Sequence, residues 1–238
     1  MALSPEQRGK IRATFDAYLK KRATNLRKLR LGDMKFNVIQ LRATGKMLDL
    51  VSPRDLLRYR LAQYLERGAV TAMGGALQQT ARIVSGFGSP VEGADIEIMR
   101  NGRRYLVQVK SGPDTANKDI AQNIGALLNA ARVRDPSAVC VFGVCYARPE
   151  QISPIAKGQL QARGVDLKVG REFWEFVSGD PKCLDEVLEI AGEAGDAVEA
   201  TMTAAIDEKL AELVKEFSAR YGATLDSSAW TKFLADNS

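Results

Sequence analysis

The chain has 238 residues, of which 45% are hydrophobic and 26% are charged, and this composition is ordinary for a globular protein with one sizeable core. It contains no histidine, which excludes Ser-His-Asp and Cys-His catalysis as well as histidine-ligated zinc. The formal net charge is +5, but residues 1–60 hold 15 Lys and Arg against 5 Asp and Glu, whereas residues 171–238 hold 6 against 15.

This uneven charge predicts that the N-terminal half faces a polyanion, while the acidic end faces away from it or meets a partner. Three cysteines, Cys140, Cys145 and Cys183, lack the spacing of metal ligands and are predicted to be buried free thiols. No apolar run approaches the length of a membrane span, and residues 1–21 do not resemble a signal peptide. We therefore expect a cytoplasmic protein without membrane contact.

Residues 4–29 predict an amphipathic helix, because apolar side chains recur near helical spacing. The opposite face is basic, and its cations include Lys20, Lys21 and Arg22. Contacts from these side chains to backbone phosphates would give affinity for DNA without sequence information. A solvated basic helix gives the same pattern, so both interpretations stand.

Two further predicted helices follow. Residues 52–67 predict one helix, which Gly68 ends, and residues 70–84 predict the next. The helices predicted at residues 4–29 and 52–67 together make residues 1–68 a basic helical N-terminal region.

The stretch from residue 95 to residue 110 predicts a β-hairpin. Asn101-Gly102 separates two runs of alternating apolar residues, and this dipeptide suits a turn in which both central residues have positive φ. A symmetric loop predicts four cross-strand pairs: Arg100 with Arg103, Ile98 with Tyr105, Ile96 with Val107, and Asp95 with Gln108. Because side chains alternate across a strand, the polar face is predicted to hold Asp95, Glu97, Gln108 and Lys110.

Asp95, Gln108 and Lys110 would place two oxygen donors and one ammonium group together. Mg²⁺ takes oxygen ligands and keeps several waters, which suits one carboxylate, one amide oxygen and the carbonyl of Val109. The cation would neutralise a phosphate and lower the pKa of a bound water, while Lys110 would orient that water or stabilise charge developing on the phosphate. The pattern predicts phosphodiester hydrolysis. Glu97 is a possible second ligand, although a solvated strand residue is the favoured interpretation.

After the hairpin, the sequence predicts a helix that reaches to about residue 134 and carries Lys118 on its polar face. That face could meet a DNA groove, and an ordinary exposed face is slightly favoured. Residues 138–147 predict a fully buried strand, and residues 165–169 predict a more exposed one. This alternation of strands and helices predicts an α/β core.

An aromatic helix is predicted from residue 171, ending near Gly179, and acidic helices are predicted from residue 183 to about residue 221, with a break near residues 192–195. The α/β core is assigned to residues 69–180 and the acidic C-terminal helices to residues 181–238. The three regions are predicted to form one compact unit.

The pattern of Asp95 with Gln108-Val109-Lys110 resembles the PD-(D/E)XK nuclease superfamily, and within it the type II restriction endonucleases. The resemblance implies a restriction-endonuclease-like core, in which helices flank a central mixed β-sheet, with N- and C-terminal helical extensions. It further implies a homodimer and Mg²⁺-dependent cleavage of double-stranded DNA at a specific site. The commoner family residue at Gln108 is Glu, so this chain has one negative charge fewer and a lower expected metal affinity.

The same resemblance implicates residues outside this motif. Ser111 and Asn117 match positions that several restriction enzymes carry after the catalytic strand, and Lys35 lies in a short Asn-containing stretch similar to one found before the core. Many family members place a Glu on the helix before the first strand. Gln78 occupies that turn here, so either Gln78 serves as an auxiliary residue or the role is vacant.

Two other functions fit the sequence. A non-catalytic DNA-binding protein on a nuclease fold is suggested by Gln78 and Gln108, since carboxylates are common at those positions. The second alternative is a repair or defence nuclease that acts on structured nucleic acid. Incubation with plasmid DNA, with and without Mg²⁺, would separate these alternatives from a restriction enzyme.

Overall fold

The computed structural model describes residues 3–86, 92–113 and 117–238. Within these ranges the chain forms nine α-helices and one four-stranded sheet. The helices are α1 (Pro5–Lys28), α2 (Val38–Thr44), α3 (Pro53–Ser85), α4 (Lys118–Arg132), α5 (Pro154–Gln161), α6 (Arg171–Ser178), α7 (Cys183–Asp196), α8 (Glu199–Tyr221) and α9 (Ser227–Ala235). The strands are β1 (Ile96–Arg100), β2 (Arg103–Lys110), β3 (Val139–Val144) and β4 (Val165–Val169).

The sheet is mixed and has the strand order β1-β2-β3-β4. β1 and β2 are antiparallel, whereas β2, β3 and β4 run parallel to one another. α4 connects β2 to β3 and α5 connects β3 to β4, as parallel neighbours require a crossover between them. The predicted α/β core with a central mixed sheet is confirmed.

The hairpin follows its sequence signal for most of its length. Asn101 has φ 51° and Gly102 has φ 72°, as the two-residue turn demands. The pairs Arg100 with Arg103, Ile98 with Tyr105, and Ile96 with Val107 form as predicted.

The fourth predicted pair, Asp95 with Gln108, is wrong. The N–H of Asp95 donates to the carbonyl of Val107 at 2.8 Å, although Val107 already lies opposite Ile96. Two residues of one strand therefore oppose a single residue of the other, which is the arrangement of a β-bulge. Period-two alternation stops at the bulge, so the side chain of Asp95 is not aligned across the ladder from that of Gln108.

Helices cover both faces of the sheet. Leu106, Phe142 and Val144 are buried in a cluster with apolar residues of α4 and α5. On the opposite face the ring of Phe173 lies against Gly143, where an added Cβ would come within 2.2 Å of the ring. The face predicted as polar is thus mainly a packed interior, because the crossover helix lies over it, and its polar residues sit near the strand ends.

α3 is one helix of 33 residues, so the predicted break at Gly68 is wrong. The guanidinium of Arg22 occupies the space where a Gly68 side chain would lie and donates a hydrogen bond to the carbonyl of Leu65. Glycine inside a helix costs about 1 kcal/mol relative to alanine. Here the absence of a side chain at Gly68 leaves room for the hydrogen bond from Arg22 of α1, and α3 continues through this position.

Two helices were not anticipated. α2 begins after Asn37, whose side chain accepts the N–H of Gln40 at 2.9 Å, and α9 begins after Asp226, which accepts the N–H of Ala229 at 2.9 Å. The predicted stop of α6 is confirmed, since Gly179 has φ 79° directly after its last residue. The break predicted near residues 192–195 falls slightly later, because α7 continues to Asp196 and α8 begins at Glu199.

The three cysteines are free and buried, as predicted. Burial raises the pKa of Cys145 to about 12 and that of Cys183 to about 11. Across the described ranges, no helix combines the length and the apolar content needed to cross a bilayer.

The chain divides into two compact units. Unit 1 comprises Met1–Tyr18 and Ala72–Ala194, and it contains the sheet. Unit 2 comprises Leu19–Thr71 and Gly195–Ser238, and it is helical with its own core, which includes Leu57, Phe217 and Phe233. Each unit joins segments that are distant in sequence, whereas the regions predicted from the sequence are consecutive.

Some of the basic residues of the N-terminal region form ion pairs with acidic residues of the C-terminal region within unit 1. Arg8 of α1 lies 3.3 Å from Glu186 and 3.2 Å from Glu189 of α7, and Arg12 lies 3.4 Å from Glu193. The acidic helix α7 therefore contacts the first turns of the basic helix α1. Arg8 and Arg12 are therefore paired with acids of the same chain, so their charges are not available to bind a polyanion.

Candidate active site

Asp95 lies at the bulge, where its carboxylate takes the place of a backbone acceptor. Its Oδ2 accepts the N–H of Val109 at 2.8 Å. This bond ties the carboxylate to the Gln108–Val109 peptide, near the end of β2. Val109 is buried, so the bond also satisfies a backbone donor that would otherwise have no partner at this edge.

Gln108 is half-buried, and its amide nitrogen donates to the carbonyl of Gly93 at 3.1 Å. The donor half of the amide is therefore engaged, which leaves the side-chain oxygen as the acceptor available to a cation. The carbonyl of Val109 leaves β2 on the same edge as its N–H, because both groups of one strand residue point to the same side. That edge is the one where Asp95 lies.

Lys110 is the last residue of β2 and shares a face with Gln108. Its carbonyl accepts the N–H of Cys145 at 2.9 Å, which fixes the backbone from which the side chain extends. Within the described part of the chain, the ammonium group has no ion pair or hydrogen-bond partner. A half-buried lysine in this state is available to a substrate or to a water.

α3 presents three residues to this region at i, i+4 spacing. Gly74 is in contact with Ser111, whose Oγ lies 3.6 Å from the position of a Gly74 Cβ. Two turns later the Nε of Arg82 donates to the carbonyl of Asp95 at 3.0 Å. Gln78 lies midway between them on the same helix face and is half-buried.

Arg82 is a site residue that the sequence analysis missed. It holds the backbone of Asp95, and it also lines a cleft of about 580 Å³ with Lys10 and Gln79. The i, i+4 spacing from Gln78 was the only signal that pointed to it. Tyr146 was missed as well: it is half exposed, and its ring lies over Gly112.

Glu97 is directed elsewhere. Both of its carboxylate oxygens accept from Arg104, at 2.8 and 3.1 Å, and Arg104 also reaches Asp135 at 3.5 Å. Glu97 lies opposite Leu106, one full pleat repeat before Gln108. This ion pair gives Glu97 a structural role, so we do not assign it as a metal ligand.

The residues predicted to contact DNA fall into different environments. Lys118 is exposed at the start of α4, and Asn117 caps that helix by accepting the N–H of Ile120 at 3.0 Å. Ser111 is directed toward α3 through its contact with Gly74. The loop residues 114–116, which belong to the predicted turn after β2, lie outside the described residues.

In unit 2, Lys20, Lys21 and Lys35 are exposed. Arg22 is only 8% exposed, and its guanidinium bonds to Leu65. Arg22 is therefore not an exposed DNA contact of the kind predicted from the helix pattern, because the open position at Gly68 draws it inward.

The donor chemistry fits a hard divalent cation. No group of three or more Asp, Glu or Cys side chains that could hold a metal ion occurs in the described ranges, so a cation here would also need neutral oxygen ligands. Asp95 supplies a carboxylate, Gln108 an amide oxygen and Val109 a backbone carbonyl. Neutral oxygens beside one carboxylate suit Mg²⁺, which completes its shell with water and substrate oxygens.

A protein-family model described as type II restriction endonuclease EcoO109I matches residues 6–198. The chain belongs to this family. The match covers all four strands and every residue of the candidate site, so it confirms the predicted relationship to restriction endonucleases of the PD-(D/E)XK superfamily. Family membership implies a DNA substrate. No curated protein matches the chain in a sequence search.

Proposed function

We propose that the protein is a Mg²⁺-dependent endonuclease that hydrolyses phosphodiester bonds of double-stranded DNA at a specific site. The observation that carries the proposal is the bond from the Val109 N–H to the Asp95 carboxylate at 2.8 Å. The bond sets an acidic oxygen beside the Gln108–Val109 peptide, one residue before Lys110. Gln108 and Lys110 follow on the same end of β2, and the chain belongs to the restriction-endonuclease family, both of which support the proposal.

Each residue has a distinct role in this mechanism. Asp95, Gln108 and Val109 would hold Mg²⁺, which when bound would neutralise phosphate charge and acidify a coordinated water. Lys110 would hold the attacking water in line through its ammonium group, or stabilise charge that develops on the phosphate. Arg82 would keep Asp95 in position through its backbone carbonyl. Gln78 would act as an auxiliary hydrogen-bonding residue on α3.

Replacement of the lysine tests this assignment. Lys110→Ala should abolish plasmid cleavage and leave DNA retention in a gel shift largely intact. The matched control is Lys168→Ala, which removes a lysine from β4 of the same sheet, where its ammonium pairs with Glu172 at 2.5 Å. An exposed pair of this kind contributes only about 0–1 kcal/mol, so the control should cleave normally. Equal cleavage by both variants contradicts the proposed role of Lys110.

A non-catalytic DNA-binding protein is the second candidate, since Gln occupies positions 78 and 108, where carboxylates are common in the family. Purified protein incubated with plasmid and Mg²⁺ separates the candidates. Discrete fragments that disappear when EDTA is added support the restriction enzyme, and retarded but intact plasmid supports the binding protein. A smear, or preference for branched DNA, supports a repair or defence nuclease.

We further propose a homodimer located in the cytoplasm. Two copies related by two-fold symmetry would place one site on each strand of a symmetric target. Light scattering of the purified protein tests the dimer: a mass close to 52 kDa, twice the 26.0 kDa of one chain, is expected.

A further inference from the structure

Unit 2 contains a basic cavity that is separate from the residues of the candidate active site. Its volume is about 330 Å³, and its walls come from α1, α3 and the segment that precedes α2. Its cationic lining residues are Arg22, Lys35, Arg60 and Arg67, and the one acid that lines it is Asp33. A small cavity with four cations and one acid has a strong surplus of positive charge.

Two of these cations are held in place by the protein. Arg22 is 8% exposed and bonds to the carbonyl of Leu65. Arg60 donates to the Lys35 carbonyl and to Gln63, and its guanidinium lies 5.5 Å from the centre of the Phe36 ring. Rigid guanidinium groups bind an anion without loss of side-chain freedom.

The cations outnumber the one acid of the lining, Asp33, whose carboxylate accepts the backbone N–H of Arg30 at 2.9 Å. The Nε of Arg60 is buried and has no hydrogen-bond partner in the described part of the chain. Burial lowers the pKa of Arg60, and the nearby charge of Arg67 lowers it further. Lys35 and Arg67 are exposed and form no side-chain ion pair with the described residues. A bound anion would reduce the electrostatic repulsion among these cationic side chains.

The other lining residues indicate which anion fits. Asn25, Gln63 and Tyr64 contribute amide and hydroxyl groups, which hydrogen-bond phosphate oxygens and sugars. Exposed Lys20 and Lys21 extend the positive charge along α1 of the same unit. A charged surface that continues beyond the cavity suits a polymer of phosphates better than an isolated small anion.

We propose that this cavity binds a phosphate group, and that its source is the backbone of a nucleic acid. The choice of nucleic acid as the source rests on the proposed function, whereas the phosphate chemistry does not. The cavity would anchor the DNA backbone through contacts that carry no sequence information.

The test is the salt dependence of binding to a short DNA duplex, measured by fluorescence anisotropy without Mg²⁺ so that no cleavage occurs. Each phosphate contact contributes about 0.9 to the slope of log affinity against log salt concentration. The double variant Lys35→Ala/Arg67→Ala should bind more weakly and with a slope reduced by about 2. Both side chains are exposed, so the variant should fold normally.

Lys46→Ala is the matched control, because it removes an exposed lysine of unit 2 that does not line the cavity. Its slope should equal that of the wild type. In a second arm, inorganic phosphate is added and the melting temperature is measured.

A reduced slope in the double variant alone supports a backbone phosphate. An unchanged slope, together with phosphate stabilisation of the wild type that the double variant loses, supports a cavity for free phosphate. An unchanged slope without such stabilisation overturns the proposal. Failure of the proposed function would appear separately, as an absence of plasmid cleavage by the wild type with Mg²⁺.

Discussion

Two substitutions at Asp95 separate its structural role from its proposed catalytic role. The carboxylate accepts the Val109 N–H at 2.8 Å, and Val109 is only 4% exposed. Asp95→Ala removes the acceptor and leaves a buried donor unpaired, which costs about 1–3 kcal/mol of unfolding free energy. Asp95→Asn keeps an oxygen at the same place and replaces a charge-assisted bond by a neutral one, so the loss should be about 1 kcal/mol.

Cleavage should respond differently from stability. Both variants lack the negative charge that would hold Mg²⁺, and loss of about 4 kcal/mol of transition-state stabilisation corresponds to a rate reduced ~10³-fold. The Asn variant should therefore be nearly as stable as the wild type and almost inactive. Denaturant unfolding gives the stabilities, and single-turnover plasmid cleavage gives the rates.

Glu97→Gln is the control, since it neutralises a second carboxylate at the same hairpin and removes a partly exposed pair with Arg104. It should cleave at the wild-type rate. Cleavage by Asp95→Asn within about tenfold of wild type would show that Asp95 only satisfies the Val109 N–H, and the catalytic argument would fail.

Three further predictions concern the fold. Gly143→Ala should lower the unfolding free energy by about 1–3 kcal/mol, because the new Cβ would lie 2.2 Å from the ring of Phe173; equal denaturation midpoints would contradict this packing. Asn117→Ala should cost about 1 kcal/mol through loss of the cap on α4, measured in the same way, whereas Asn117→Asp should retain it. With pKa values of about 12 for Cys145 and about 11 for Cys183, these thiols should not react with a thiol reagent at pH 8 until the protein is unfolded. Because their folded pKa values exceed the unfolded value of about 8.5, stability should fall as the pH rises above that value.

Features that depend on local conformation and periodicity could be predicted from the residues alone. Asn101-Gly102 specified the turn because few residue pairs accept positive φ twice, and the turn then set the register of three strand pairs. Apolar runs identified β3 and β4, and the short motif around Lys110 identified the nuclease family. Each of these signals is contained in a few neighbouring residues.

Features that depend on contacts between residues distant in sequence emerged only from the three-dimensional structure. The bulge that places the Asp95 carboxylate on the Val109 N–H breaks the alternation on which the fourth pair was predicted. Arg22 fills the space at Gly68 and allows α3 to continue, and Arg82 reaches Asp95 from the preceding helix. Propensity and pattern describe a single segment, whereas hydrogen bonds and packing between segments select among the conformations that each segment permits.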